Sequence, residues 1–121
     1  MGSTKKSRLY LMLVIVLWGF TLTAHAYGAE RVDTVSKHGF DKTVQAMTKA
    51  IKARGMMVVA TIDHQNMLSM VGMKIKGSKT IEFGKPDMGK MVFAMAPEAG
   101  LEMPAKIYVF ERGDGKTVMS Y

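Results

Sequence analysis

The feature that most constrains this chain is the set of glycine and proline residues within positions 83–106. Gly84 and Pro86 end a β-rich stretch, Pro97 ends the helical pattern that follows, and Pro104 precedes the next apolar run. Glycine and proline interrupt regular structure at defined positions. Their spacing predicts a strand, a short helix, a turn and a second strand, which is typical of a small mixed domain.

Hydrophobic periodicity on both sides of this segment predicts the other elements. Phe40, Val44, Met47 and Ile51 form one stripe of an amphipathic helix, and Gly55 ends that helix. The remaining patterns predict strands at residues 31–36, 56–62, 79–83, 106–111 and 116–121, and a short helix between Asp63 and Gly72. The sequence therefore predicts one α+β domain of order β-α-β-α-β-α-β-β, with one antiparallel or mixed sheet packed by helices on one face.

The apolar pattern also predicts which parts are buried. Residues 56–62 are apolar nearly throughout, so we expect a strand covered on both faces. Residues 106–111 should form a strand that is central, or that is covered by helices on one side and a second subunit on the other. In the helix after Pro86, one arc should face the core, and Phe93 should lie on the opposite side as part of a partner surface. That core-facing arc contains Met88, Met91, Val92 and Met95.

The first 26 residues have the three parts of a secretory signal peptide. Three basic residues precede an uncharged, mostly apolar run at 9–22, and Ala24 and Ala26 occupy the positions that signal peptidase reads. We expect cleavage before Tyr27, a location in the periplasm and no stable membrane anchor afterwards. The prediction assigns 1–26 to the signal peptide and 27–121 to the folded domain.

Composition excludes several classes of function. Removing the signal peptide takes away three of the 17 Lys and Arg residues and none of the ten Asp and Glu residues, so the net charge falls from +7 to +4. No basic stripe is interleaved with aromatic residues, so we expect no nucleic-acid binding. The chain has no cysteine, so a fold in an oxidising compartment depends on packing without disulfides.

Short motifs in a fixed order resemble a known family. These are Gly39-Phe40, Asp63-His64 followed by Gly72, Phe83-Gly84-x-Pro86, Gly89, Pro97, Gly100-Leu101, Met103-Pro104-x-Lys106 and Asp114-Gly115-Lys116. From Asp33 to Tyr121 the chain resembles secreted bacterial members of the family called domain of unknown function 302. The resemblance implies a compact α+β domain, often a homodimer, without an established activity.

The chain departs from that family in three ways. Lys85 stands where the family usually has Asn, Lys90 where it has Thr, and methionines replace several aliphatic residues. The family pattern also continues past the last strand into an Asp-Pro turn and a C-terminal helix, which this sequence lacks. We expect either truncation or a partner that covers the sheet face.

Asp63, His64 and Lys106 are the candidate ligand-binding residues. A carboxylate beside a histidine fixes its tautomer and raises its basicity, which suits an acid-base pair. The simpler interpretation, which we favour, is that Asp63 caps the short helix and His64 packs in its first turn. The sequence contains none of the common hydrolase, metalloprotease or phosphate-binding motifs.

Methionine is unusually frequent, with 11 residues outside the predicted signal peptide. Thioethers are soft ligands for Cu(I), and His64, Met67, Met70 and Met73 recur every three residues. Methionine also replaces leucine in cores, which is the interpretation we favour.

The sequence thus predicts a non-catalytic binding or interaction module without a cofactor, as a homodimer that binds an unknown small ligand or protein. The alternatives are a Cu(I)-binding protein and a small enzyme that uses Asp63 and His64.

Overall fold

The computed structural model describes residues 30–121. The predicted signal peptide, with Ala24 and Ala26, lies outside the described residues, and its cleavage stays a prediction. Within residues 30–121, no helix has both the length and the apolar character needed to cross a bilayer.

Within residues 30–121, five strands, three α-helices and one 3-10 turn follow one another. In order they are β1 (Asp33–Val35), α1 (Phe40–Ala53), β2 (Met57–Asp63), α2 (His64–Ser69), β3 (Ser78–Gly84), α3 (Pro86–Met95), the 3-10 turn (Pro97–Leu101), β4 (Ala105–Glu111) and β5 (Thr117–Ser120). The predicted order of elements is confirmed. The 3-10 turn forms where the sequence indicated only a turn.

Helix α1 begins and ends at the residues that its sequence indicates. Asp41 lies in the first turn and Lys52 in the last, where each charge favours the nearer end of the helix dipole. Gly55 then adopts a φ of 72°, a left-handed conformation that glycine reaches without steric cost. The predicted apolar stripe packs inward, with Ile51 buried.

All strand pairs in the sheet are antiparallel, and the order across it is β1-β5-β4-β3-β2. Strand β4 is central, as its two apolar faces predict. Ile81 of β3 and Val109 of β4 are 0% exposed and form the core with Ile51 of α1. The partly buried residues packed around them are Phe40, Val44, Met47, Met56, Val58, Phe83, Ile107 and Met119. The α+β prediction with a single small domain is confirmed.

The burial predicted for β2 is wrong. This strand lies at the edge of the sheet, and exposed and half-buried residues alternate along much of it. A register shift between Val58 and Ala60 marks a bulge, and Met57 and Val59 are exposed. An apolar run is typical of a strand that is covered on both faces, but this one carries its apolar residues at an open edge.

The orientation predicted for α3 is also wrong. Met88, Met91 and Met95 are 61%, 67% and 85% exposed, so the predicted core stripe faces outward. The helix contacts mainly the 3-10 turn among the described elements. Helical periodicity identifies an apolar arc, but it does not say whether that arc meets the same chain or another molecule.

Candidate functional site

An apolar groove of about 280 Å³ lies between β2, α3 and the 3-10 turn. It is lined by Met57, Val59, Gly84, Lys85, Pro86, Gly89, Phe93, Gly100, Met103 and Pro104. Six of these are predicted motif residues, which are separated in the sequence but meet here: Gly84, Pro86, Gly89, Gly100, Met103 and Pro104. The groove is therefore built by the same glycine and proline pattern that organises the sequence.

Glycine lets the backbone approach the groove closely. A Cβ atom on Gly100 would lie 2.9 Å from Cε1 of Phe93, which is too close, whereas one on Gly89 would be in ordinary contact, 3.8 Å from the terminal methyl of Met103. Gly100 thus allows the Phe93 ring to rest against the 3-10 turn. The exposed Phe93 lies on the side of α3 opposite to the methionines, as predicted, but this side faces the groove and the rest of the domain.

The methionine face of α3 consists of Met88, Met91 and Met95. The helical repeat of 3.6 residues per turn places these side chains on the side of α3 away from Gly89 and Phe93. Val92 lies between the two sides. Leu101 of the 3-10 turn is also exposed. Apolar side chains therefore occupy most of the circumference of α3.

A second cluster, which is polar and aromatic, lies on the sheet face opposite the Ile81 and Val109 core. Nε2 of His64 and Oγ1 of Thr80 are hydrogen-bonded at 2.8 Å, and the His64 and Tyr108 rings meet edge to face with centroids 5.9 Å apart. The Tyr108 hydroxyl is hydrogen-bonded to the Ser78 hydroxyl at 2.8 Å. Each of these four side chains therefore has a hydrogen-bond partner within the cluster.

Asp63 serves as the N-cap of α2. One carboxylate oxygen accepts a hydrogen bond of 2.9 Å from the Asn66 backbone N–H, and the other lies 3.7 Å from the Lys79 ammonium. The hydrogen bonds among residues 30–121 include none between Asp63 and His64. The geometry is that of a helix cap with a neighbouring cation, as the simpler interpretation predicts.

Lys106 lies on the same sheet face as Tyr108, because residues two apart on a strand share a face. Its partner across the register is Glu82, and Thr80 is the partner of Tyr108. On this face, the Glu82–Lys106 pair is therefore the next neighbour of the Thr80–Tyr108 pair, which belongs to the His64 cluster. The structure places this predicted residue near His64 but gives it no hydrogen bond to His64 in the described part of the chain.

The methionines of the Cu(I) hypothesis follow His64 along and just after α2. Met67, Met70 and Met73 are each more than half exposed. Residues 30–121 contain no cluster of three or more His, Cys, Asp or Glu side chains that could hold a metal, but a site of one histidine and several thioethers is a different kind of site. The copper hypothesis stays a prediction.

Sequence reasoning missed most of the residues that surround these sites. Thr80, Tyr108 and Ser78 carry no motif, although strand alternation already places them opposite Ile81 and Val109. Met57 and Val59 line the groove only because the chain folds back on itself. No local signal marks those two residues.

Similar proteins were found by sequence and by structure. A segment of 85 residues is 27% identical to proteins named fluoride-specific ion channel from Brucella: FluC 1 of Brucella suis and FluC 1 of Brucella abortus. The match covers 70% of this chain, and 34% and 32% of those two proteins, so the chain spans about a third of the length of the curated relatives it matches.

The fold has a counterpart in a crystal structure of an uncharacterized conserved DUF302 protein from Bacillus stearothermophilus, with a TM-score of 0.70 and 17% identity. That likeness covers 77% of this chain and 73% of the other. The model of the family described as domain of unknown function DUF302 matches residues 32–121, nearly all of the described domain. This match covers well over half of the sequence, and the chain therefore belongs to the DUF302 family.

Proposed function

We propose that this domain is a non-catalytic interaction module of the periplasm, and that it acts as a homodimer whose two copies meet through α3. The observation that carries the proposal is the methionine face of Met88, Met91 and Met95, which is mostly exposed. A helix that is apolar around most of its circumference is normally buried. A partner is therefore needed to cover α3.

The exposed apolar area fits a protein partner. Met88, Met91 and Met95 of α3 and Leu101 of the 3-10 turn are each more than 60% exposed. Exposed apolar patches on small domains mark interaction surfaces. The methionine face, with Leu101, is therefore suited to contact a second protein.

The charges around α3 favour a second copy of this chain as the partner. Lys85 and Lys90 lie near Asp87, Glu98 and Glu102, so acids and bases are mixed around the apolar surface. In a two-fold interface the same patch meets itself, and a patch of one charge sign would repel its copy. A mixed rim avoids that repulsion.

The groove fits the same role. Its volume of about 280 Å³ is just below the range of typical small-molecule sites, about 300–1,000 Å³. Apolar side chains of a partner suit such a groove better than a drug-sized ligand. The groups around His64, by contrast, are already paired with one another, which supports a role without catalysis.

The Brucella relatives support an accessory role. In those proteins a segment similar to this chain makes up about a third of a polypeptide named as a fluoride-specific ion channel. A domain that is joined to a longer protein of a different kind is suited to contacting other proteins. We infer that this chain also acts by association.

Native mass spectrometry of the protein recovered from the periplasm tests the proposal, because it reports the N-terminus and the number of subunits together. We expect a dimer that begins at Tyr27. Met91→Glu should give a monomer, and the matched control Met70→Glu, which places the same charge just after α2, should remain a dimer. A monomeric wild-type protein at about 100 μM, where weak interfaces already associate, would contradict the proposal, and so would a dimeric Met91→Glu variant.

A further inference from the structure

A second apolar surface lies at the end of α2, in the segment that precedes β3. It consists of Met67, Met70, Val71 and Met73, which we call the methionine knob, and these residues are 53%, 73%, 78% and 53% exposed. Four large apolar side chains thus stand in solvent within seven consecutive residues. This surface is separate from the residues of the proposed dimer interface.

The backbone of the knob is well hydrogen-bonded. The N–H of Met73 donates to the carbonyl of Leu68 at 3.0 Å, and the N–H of Gly72 donates to the carbonyl of Ser69 at 3.1 Å. Gly72 has a φ of 81°, which completes the usual left-handed end of a helix. The side-chain amide of Gln65 also donates to the carbonyl of Ile75 at 3.0 Å and ties the following segment to α2. The side chains of the knob therefore project from a helix end whose backbone groups are hydrogen-bonded.

Basic side chains border the knob on one side. Lys74 and Lys76 follow it directly, and the Lys76 ammonium lies 3.5 and 3.4 Å from the carbonyls of Arg112 and Gly113 in the β4–β5 hairpin. The ion pairs among residues 30–121 are Arg31–Asp33, Lys79–Asp63 and Arg112–Asp114, and none of them uses Lys74 or Lys76.

We propose that the methionine knob docks the domain on an anionic lipid surface. Its apolar side chains enter the boundary between headgroups and acyl chains, and the bordering lysines contact lipid phosphates. Unbranched methionine side chains adapt to an irregular, fluid environment. The one-sided positive charge distinguishes this surface from α3, because two copies of the knob would repel each other.

Vesicle co-sedimentation of the protein recovered from the periplasm tests this docking. The probes are vesicles of phosphatidylcholine alone and of phosphatidylcholine with about 30% phosphatidylglycerol, at low and high salt. We expect binding to the anionic vesicles that falls at high salt, because salt screens exposed charges. Met70→Glu combined with Val71→Glu should lower the partition coefficient at least about tenfold, since charged groups do not enter the apolar boundary.

Matched variants distinguish the effect of local lysine contacts on vesicle binding from the effect of the net charge of the protein. Each lysine near an anionic surface raises the binding constant about fivefold, so Lys74→Gln with Lys76→Gln should lower that constant by roughly 25-fold. Lys49→Gln with Lys52→Gln removes the same charge from the exposed side of α1 and should lower it much less. Met91→Glu on α3 leaves the knob intact, so this variant should still bind anionic vesicles in preference to neutral ones.

Three results would overturn the docking proposal. They are equal binding to neutral and anionic vesicles, an equal loss in the two lysine pairs, and a loss of self-association instead of lipid binding when Met70 and Val71 are replaced. The last result would assign the knob to a protein partner. The first two results concern vesicle binding alone, so either of them would contradict docking and leave dimerisation through α3 untouched.

Discussion

Gly77 is a buried position where no side chain fits. A Cβ atom there would lie 2.6 Å from Cδ1 of Phe40 and 2.8 Å from Oε1 of Glu111. Because the Phe40 ring packs against the core, it has little freedom to move aside. We expect Gly77→Ala to lower the free energy of unfolding by about 1–3 kcal/mol, measured by urea denaturation. Gly113→Ala, at a position with nothing within 4 Å, is the control, and an equal effect of both would contradict the packing argument.

Asp114, in the β4–β5 hairpin, contributes to the stability of the folded state in a way that depends on pH. The hydrogen bond from the Arg112 side chain, followed by that from the Lys116 backbone, lowers the pKa of the Asp114 carboxyl from 3.8 to about 2. A carboxyl with a lowered pKa in the folded state stabilises that state above pH 3.8 and loses this effect as the pH falls through 2.

Asp114→Asn removes this acid dependence. At pH 7 the variant should therefore melt slightly below the wild-type protein, and the difference should shrink between pH 3.8 and about pH 2. Thermal melting of both proteins across this range measures the effect. A difference in melting temperature that does not change with pH would show that Asp114 does not act through its charge.

At the scale of elements, helix α2 depends on its cap. Asp63 accepts the Asn66 N–H, so Asp63→Ala should lower the free energy of unfolding by about 1 kcal/mol. Asp63→Asn should restore most of the loss, since asparagine caps helices as well as aspartate does. Chemical denaturation of the three proteins measures this order. Equal losses in the Ala and Asn variants would mean that the carboxylate charge, and not the cap, stabilises α2.

Elements were predictable where one local pattern decides the outcome. Phe40, Val44, Met47 and Ile51 fix the inner face of α1, and Asp63 and Gly72 mark the two ends of α2. The strand order β1-β5-β4-β3-β2 was not predictable, since each strand pattern is compatible with several neighbours. The outward orientation of the apolar arc of α3 was not predictable either, because the same arc suits a core or an interface.

At the scale of the whole molecule, the groove arises from residues that the sequence presents only as turn formers. Gly84, Gly89 and Gly100 mark the ends or interruptions of elements, which is how the sequence pattern identifies them. Their second role, in bringing Phe93 and Met103 to one apolar groove, follows from the tertiary structure. The sequence therefore predicts that these positions matter, while only the fold shows which surface they form.

A homodimer of this domain should have a stability that depends on protein concentration. Association stabilises the folded state by mass action, so each tenfold rise in concentration should raise the melting temperature by about 2–4 °C for a dimer of this size. Met91→Glu interrupts the methionine face of α3 and should melt at one temperature at all concentrations. Met70→Glu leaves that face intact and should keep the wild-type dependence. Thermal melts from about 1 to 100 μM, a range that spans the association of a moderate interface, measure the difference. A wild-type melting temperature that stays constant over this range would mean that the exposed face of α3 does not join two copies of the chain.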